Sequence, residues 1–140
     1  MSDAPVYTAL VDVAHGRAGS ARSTDGALDL TLAAPKELGG DRAGTNPEQL
    51  FAAGFAACFL SSVAAVGRRR RLELGELSAR GEVDLHRADG GGFRLAVRLT
   101  VAAPDADPAS LRDAVAEAEK VCPYAAAVRG NIPVDVRIES

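Results

Sequence analysis

Short stretches of strand character at both ends of the chain flank one long apolar stretch near the middle. Val6-Tyr-Thr-Ala-Leu-Val-Asp-Val13 has strand composition and stops at the turn signal His15-Gly16. Residues 20–23 and 27–32 read as two further strands separated by Asp25-Gly26, a strong short-range hairpin signal. Pro, Gly and Asp dominate residues 35–44, which predicts a loop. Thr45-Asn46-Pro47-Glu48 then opens a helix, with Asn46 or Thr45 as the cap, proline at the first helical position and an acid in the first turn. That helix is expected to run to about Gly67. Strands follow at about 72–86 and 93–101, joined by Asp89-Gly-Gly-Gly92. Asp107-Pro108 begins a second helix, whose Leu111, Val115, Ala118 and Cys122 share one face. Pro123 disturbs or ends it, because a residue before proline avoids the helical region. A last strand is expected at 132–138. This order predicts an α+β fold with antiparallel hairpins wrapped around one very apolar helix.

With 140 residues, 47% of them hydrophobic, the chain fits one domain spanning residues 1–140 and has too much apolar content for disorder. Sixteen Lys and Arg against 19 Asp and Glu leave a net charge of −3, and Trp is absent, which argues against nucleic-acid binding. The run from Leu50 to Gly67 carries no charge over 18 residues and is followed by Arg68 to Arg71, the pattern of a borderline membrane span. Six alanines, two glycines and two serines within it make a buried central helix the better reading, and no membrane association is expected. The four arginines read as a solvated helix end. The N-terminus lacks the charged-then-apolar pattern of a signal peptide, so a cytoplasmic protein is expected. An Ala- and Val-rich core with 14 glycines implies burial completed by a partner subunit.

Candidate chemistry is sparse. Cys58 and Cys122 are the only cysteines, and neither lies in a CxxC pair or at zinc-ligand spacing; no metal is expected. Cys58 lies within the apolar helix, where a thiol often serves as a small hydrophobe. Cys122 continues an apolar helical stripe, yet it precedes Pro123 at a helix break, where a thiol gains the freedom to form a disulfide. Arg17 sits between glycines in Gly16-Arg-Ala-Gly19 with Arg22 just beyond, and each fits a solvated loop charge. Glu48 fits compensation of the helix dipole. Hydrolase elbows and phosphate loops are missing.

Leu38-Gly-Gly followed by Thr45-Asn-Pro-Glu-Gln-Leu-Phe-Ala-Ala-Gly-Phe-Ala-Ala-Cys-Phe59 closely resembles the organic hydroperoxide resistance (Ohr) family of the Ohr/OsmC superfamily. So does Val121-Cys-Pro-Tyr-Ala-Ala-Ala-Val-Arg-Gly-Asn-Ile132, and the likeness extends from Tyr7 to the C-terminus. The resemblance implies an intertwined α+β homodimer and a thiol peroxidase that reduces organic hydroperoxides, fatty-acid hydroperoxides included, to alcohols. It implies no bound cofactor; dihydrolipoamide or a lipoylated protein is the external reductant. Cys58 would be the peroxidatic cysteine, Cys122 the resolving one, and Arg17 with Glu48 the polar pair at the thiolate. The family's Gly-Gly-Arg-Asp-Gly is replaced here by His15-Gly-Arg-Ala-Gly, and Ala125-Ala-Ala127 stands where polar residues are usual.

Chemically the set is coherent. A free thiol titrates near 8.5 and burial raises it, so an adjacent cation is required, and Arg17 stays charged at any working pH. Glu48 would orient that guanidinium. Leu38, Phe51, Phe55 and Phe59 are the expected apolar binding residues for the substrate, although a Phe on a buried helix is commonly core. Glu48 and Cys58 lie ten residues apart, about 15 Å along a continuous helix. Either the helix breaks, at Gly54 for instance, or Glu48 serves the cysteine of the other subunit. Two alternatives stand beside the Ohr reading: an OsmC-like peroxidase of different substrate balance, and a non-catalytic redox-sensing or binding protein.

Overall fold

Around Asp25-Gly26 the chain folds back as the turn signal predicts. Strand β1 (Val11–Ala14) pairs antiparallel with β2 (Ser20–Ser23), and β2 with β3 (Asp29–Thr31). The Asp25 carboxylate closes the turn by accepting from the Ser23 hydroxyl (2.6 Å) and the Ala27 amide (3.0 Å), and these bonds hold its pKa below the usual range. Residues 6–9 join no strand, so β1 starts later than its composition implies, and Val6, Tyr7, Leu10, Val11 and Val13 are all exposed. The loop after β3 is closed by a bridge between Leu32 and Thr45. The structure, a computed structural model, describes residues 3–139. It divides into two compact units, the first ending at Leu50 and the second beginning at Phe51.

Helix α1 (Pro47–Arg69) starts where the cap signal places it: the Asn46 side chain accepts from the Gln49 amide at 2.8 Å. By length and composition α1 is apolar enough to cross a membrane. One of its faces, Phe55, Phe59, Val63 and Val66, is instead core of the second unit. Ala53, Ala57, Ser61 and Ala65, at helical i+4 spacing, form an exposed stripe of small side chains. The arginines that follow are partly engaged, because Arg69 pairs with Glu117 and Arg70 lies 4.0 Å from Asp113.

Strands β4 (Ser78–Arg87) and β5 (Phe93–Ala102) form an antiparallel pair, and β6 (Val134–Ile138) adds to β5 in parallel. β4 begins six residues later than expected, because Arg71 and Gly75 adopt positive φ and Leu74 turns into the core. At Gly81 the helix approaches closely: a Cβ there would lie 2.8 Å from the Ala52 carbonyl oxygen. Alternation along β4 and β5 turns Val83, Val97, Leu99 and Val101 toward the core and leaves charges on the other face. There Arg98 donates twice to Asp84, at 2.6 and 3.1 Å, which lowers the Asp84 pKa and raises that of Arg98.

Helix α2 (Pro108–Val121) carries the cap expected of Asp107, which accepts from the Ser110 amide at 3.0 Å. Cys122 then leaves the helix with ψ 122°, as the following proline demands. The chain does not simply end its helical course there. It turns a corner and resumes as α3 (Pro123–Val128), with Pro123 as its first residue. The second unit thus has a helical crossover between two parallel strands, and the whole chain is of the α+β class.

Candidate active site

Two pairs of residues singled out by sequence are each brought together. In the second unit the sulfurs of Cys58 and Cys122 lie 3.6 Å apart, although 64 positions separate them in the chain. Both are free thiols; Cys58 is half-buried and Cys122 is fully enclosed. The bend before Pro123 aims Cys122 at α1 rather than leaving it on the outer turn of a longer helix. The same bend frees the Tyr124 amide from helical bonding, and this N–H donates to the Cys58 sulfur. Burial pushes the Cys58 thiol above its ordinary value, and the neighbouring Cys122 adds to that, while the Tyr124 amide acts in the opposite direction.

In the first unit Arg17 and Glu48, 31 positions apart, form a bidentate pair at 2.7 and 3.1 Å. Glu48 is the more enclosed, with 18% of its side chain exposed against 41% for Arg17, so the guanidinium keeps a face open to solvent. The Glu48 hydrogen bond raises the Arg17 pKa further and fixes the positive charge. The loop is shaped by backbone demands on either side. His15 and Gly16 have positive φ (61° and 58°), and a Cβ at Gly19 would sit 1.7 Å from the Ala14 carbonyl oxygen. Arg22 lies on the exposed surface, 3.9 Å from Asp29.

The apolar residues separate into two groups. Phe55 and Phe59 are core residues, 0% and 1% exposed, and they line a cleft of about 230 Å³ walled also by Leu99, Ile132, Val134 and Val136. Phe51 is half-buried and packs edge-on against Phe55 at 6.1 Å. Leu38 is exposed on a 3-10 turn of the first unit. Helix α1 runs unbroken through Gly54, which removes the helix break as a way of bringing Glu48 beside Cys58. Among the described residues no group of three His, Cys, Asp or Glu is placed to hold a metal. The contribution of Tyr124 was not legible in the sequence, because it comes from a main-chain group. Pro123 was the available signal, since a helix restarting at proline leaves its first amides unpaired.

The chain is of the α+β class, and its two cysteines lie within mutual reach in the second unit. The model of OsmC-like proteins matches residues 39–137. An organic hydroperoxide resistance protein of Xanthomonas axonopodis pv. citri is 47% identical over 135 residues, covering 95% of this chain and 94% of the relative. The organic hydroperoxide resistance protein OhrB of Bacillus subtilis is 40% identical over 135 residues, covering 96% and 97%. Among solved structures, an organic hydroperoxide resistance protein from Legionella pneumophila superposes with a TM-score of 0.93 at 40% identity, covering 98% of this chain and 100% of that one. The chain belongs to the OsmC-like family, in its organic hydroperoxide resistance branch.

Proposed function

We propose that this protein is a cysteine-based peroxidase that reduces organic hydroperoxides to alcohols. The names of its relatives support a role in hydroperoxide resistance. The observation that carries the chemical reading is the 3.6 Å approach of Cys58 and Cys122. The Cys58 thiolate attacks the terminal peroxide oxygen. The O–O bond breaks, an alkoxide leaves and takes up a proton as alcohol, and Cys58 becomes a sulfenic acid. The Cys122 thiol then displaces hydroxide from that sulfur, releasing water and forming the disulfide. A movement of about 1.5 Å closes the 3.6 Å gap to a bond of about 2.05 Å. A dihydrolipoyl group, free or on a lipoylated protein, returns two electrons and is itself oxidised to the cyclic disulfide. We place this cycle in the cytoplasm, where resting thiols stay reduced.

Arg17 is assigned to the Cys58 thiolate and Glu48 to Arg17. Because α1 is continuous, the pair is proposed to serve the cysteine of a second copy in a homodimer. The exposed apolar residues from Val6 to Val13 and the small-residue stripe of α1 support such a partner, since both leave surface suited to close packing.

Mass spectrometry after one equivalent of tert-butyl hydroperoxide should find the Cys58 and Cys122 peptides linked. Dihydrolipoamide should then restore both thiols and sustain turnover. Overoxidised Cys58 alone would remove Cys122 from the cycle, and a single round without regeneration would indicate a sensor.

Substrate preference follows from the apolar surroundings. Phe51 and Leu38, with Ala33 and Ala34, are the expected alkyl contacts, and Phe55 and Phe59 belong to the core of the second unit. Burying about 100 Å² of alkyl surface contributes about 2–3 kcal/mol. Hydrogen peroxide has no alkyl group, so kcat/KM should favour alkyl or fatty-acid hydroperoxides by on the order of a hundredfold. Competition between the two substrate types under one reductant measures this, and equal efficiencies would assign those residues to packing alone.

A further inference from the structure

Gly54 and Cys58 are four residues apart on α1 and therefore share a face of the helix. Tyr124 engages both. Its ring lies over Gly54, where an added Cβ would meet the Tyr124 hydroxyl oxygen at 3.1 Å, Cε2 at 3.3 Å and Cζ at 3.5 Å. Its amide points at the Cys58 sulfur. The ring also packs against Phe55 at 5.8 Å between centroids, which fixes its tilt. Cys122 is joined to Tyr124 through the single rigid residue Pro123, so wherever the ring is seated, the resolving thiol is carried with it.

We propose that Gly54 is a positioning residue: by presenting bare backbone beneath the Tyr124 ring, it seats the Cys122-Pro123-Tyr124 corner on α1, so that one amide touches the Cys58 sulfur and one thiol waits within reach of it. Glycine is otherwise a poor choice in the middle of a helix, and alanine would be the better helix former. The cost is explained if a methyl group at this position displaces the ring. The contacts at 3.1–3.3 Å are too close for a methyl to enter without movement. The ring is braced by Phe55, so the movement passes into the corner. This inference rests on the peroxidase reading for its consequence in turnover, but its effect on the reduced thiol does not depend on any peroxide.

Gly54→Ala tests it in the full-length protein. Stopped-flow formation of the Cys58–Cys122 disulfide after one equivalent of tert-butyl hydroperoxide should slow by about tenfold, and by about a hundredfold in Gly54→Leu. The pH profile of Cys58 alkylation in the reduced protein should move to higher pH, because the sulfur loses its amide donor. Thermal stability of Gly54→Ala should not fall in proportion, which separates positioning from general damage. With Tyr124→Ala the ring is gone while the amide remains, so adding Gly54→Ala to that variant should cause no further slowing. A Gly54→Ala protein with wild-type disulfide rate and alkylation profile would overturn the inference, and so would additive losses in the double variant. If the wild-type protein itself forms no disulfide with the hydroperoxide, the peroxidase reading fails instead, and the alkylation profiles still decide the role of Gly54.

Discussion

Cys58→Ser is expected to lower hydroperoxide turnover by about a thousandfold or more, to the level of the reaction without protein. Serine preserves the shape of the site and its hydrogen-bonding capacity, but its hydroxyl does not ionise at neutral pH and oxygen does not accept a second oxygen as sulfur does. Fold and stability should be little changed, since Cys58 is only half-buried and the surrounding core consists of Phe55, Phe59 and their neighbours. The measurement is consumption of tert-butyl hydroperoxide with dihydrolipoamide in excess. Retention of even about a tenth of the wild-type rate would remove Cys58 as the nucleophile.

Arg17→Ala is expected to have the next largest effect. Within its own unit, burial raises the Cys58 thiol, and the Tyr124 amide alone opposes it. A cation beside a thiolate lowers its pKa by about 1–3 units, so removing it should slow peroxide attack at neutral pH by about 10- to 1000-fold. The loss should shrink as pH is raised, because more alkaline solution restores the thiolate that the arginine no longer stabilises. Mixing tests the arrangement between copies. If Arg17 serves the partner's cysteine, co-refolded Arg17→Ala and Cys58→Ser chains should regain about a quarter of wild-type activity, since half the dimers would hold one complete site. If Arg17 serves its own chain, the mixture shows only the residual activity of its Arg17→Ala chains.

Local signals in the sequence were legible where they act over a few residues. Asp25-Gly26 marked the hairpin, Asn46-Pro47 and Asp107-Pro108 marked both long helices, and Pro123 marked the bend that exposes Cys122 to Cys58. The two cysteines and the Arg17–Glu48 pair came from family resemblance, because no spacing rule joins positions 31 or 64 residues apart. Main-chain events were not legible. Strand β6 joins β5 in parallel only because α2 and α3 carry the chain back across the sheet. The delayed start of β4 depends on positive-φ residues at Arg71 and Gly75. Phe55 and Phe59 illustrate a further ambiguity: helical spacing marks a greasy face without telling a binding wall from a packed interior.

The unequal exposure of the two sulfurs gives the proposed cycle a direction. Cys122 is sealed off, while Cys58 keeps some contact with solvent. In that proposed cycle oxidant and reductant would therefore both react at the same sulfur, that of Cys58. Peroxide leaves its oxygen there, and the dithiol later makes its mixed disulfide there, expelling Cys122 as leaving group. On that proposal the two half-reactions would alternate, and the protein itself would store the two electrons' worth of oxidation between visits.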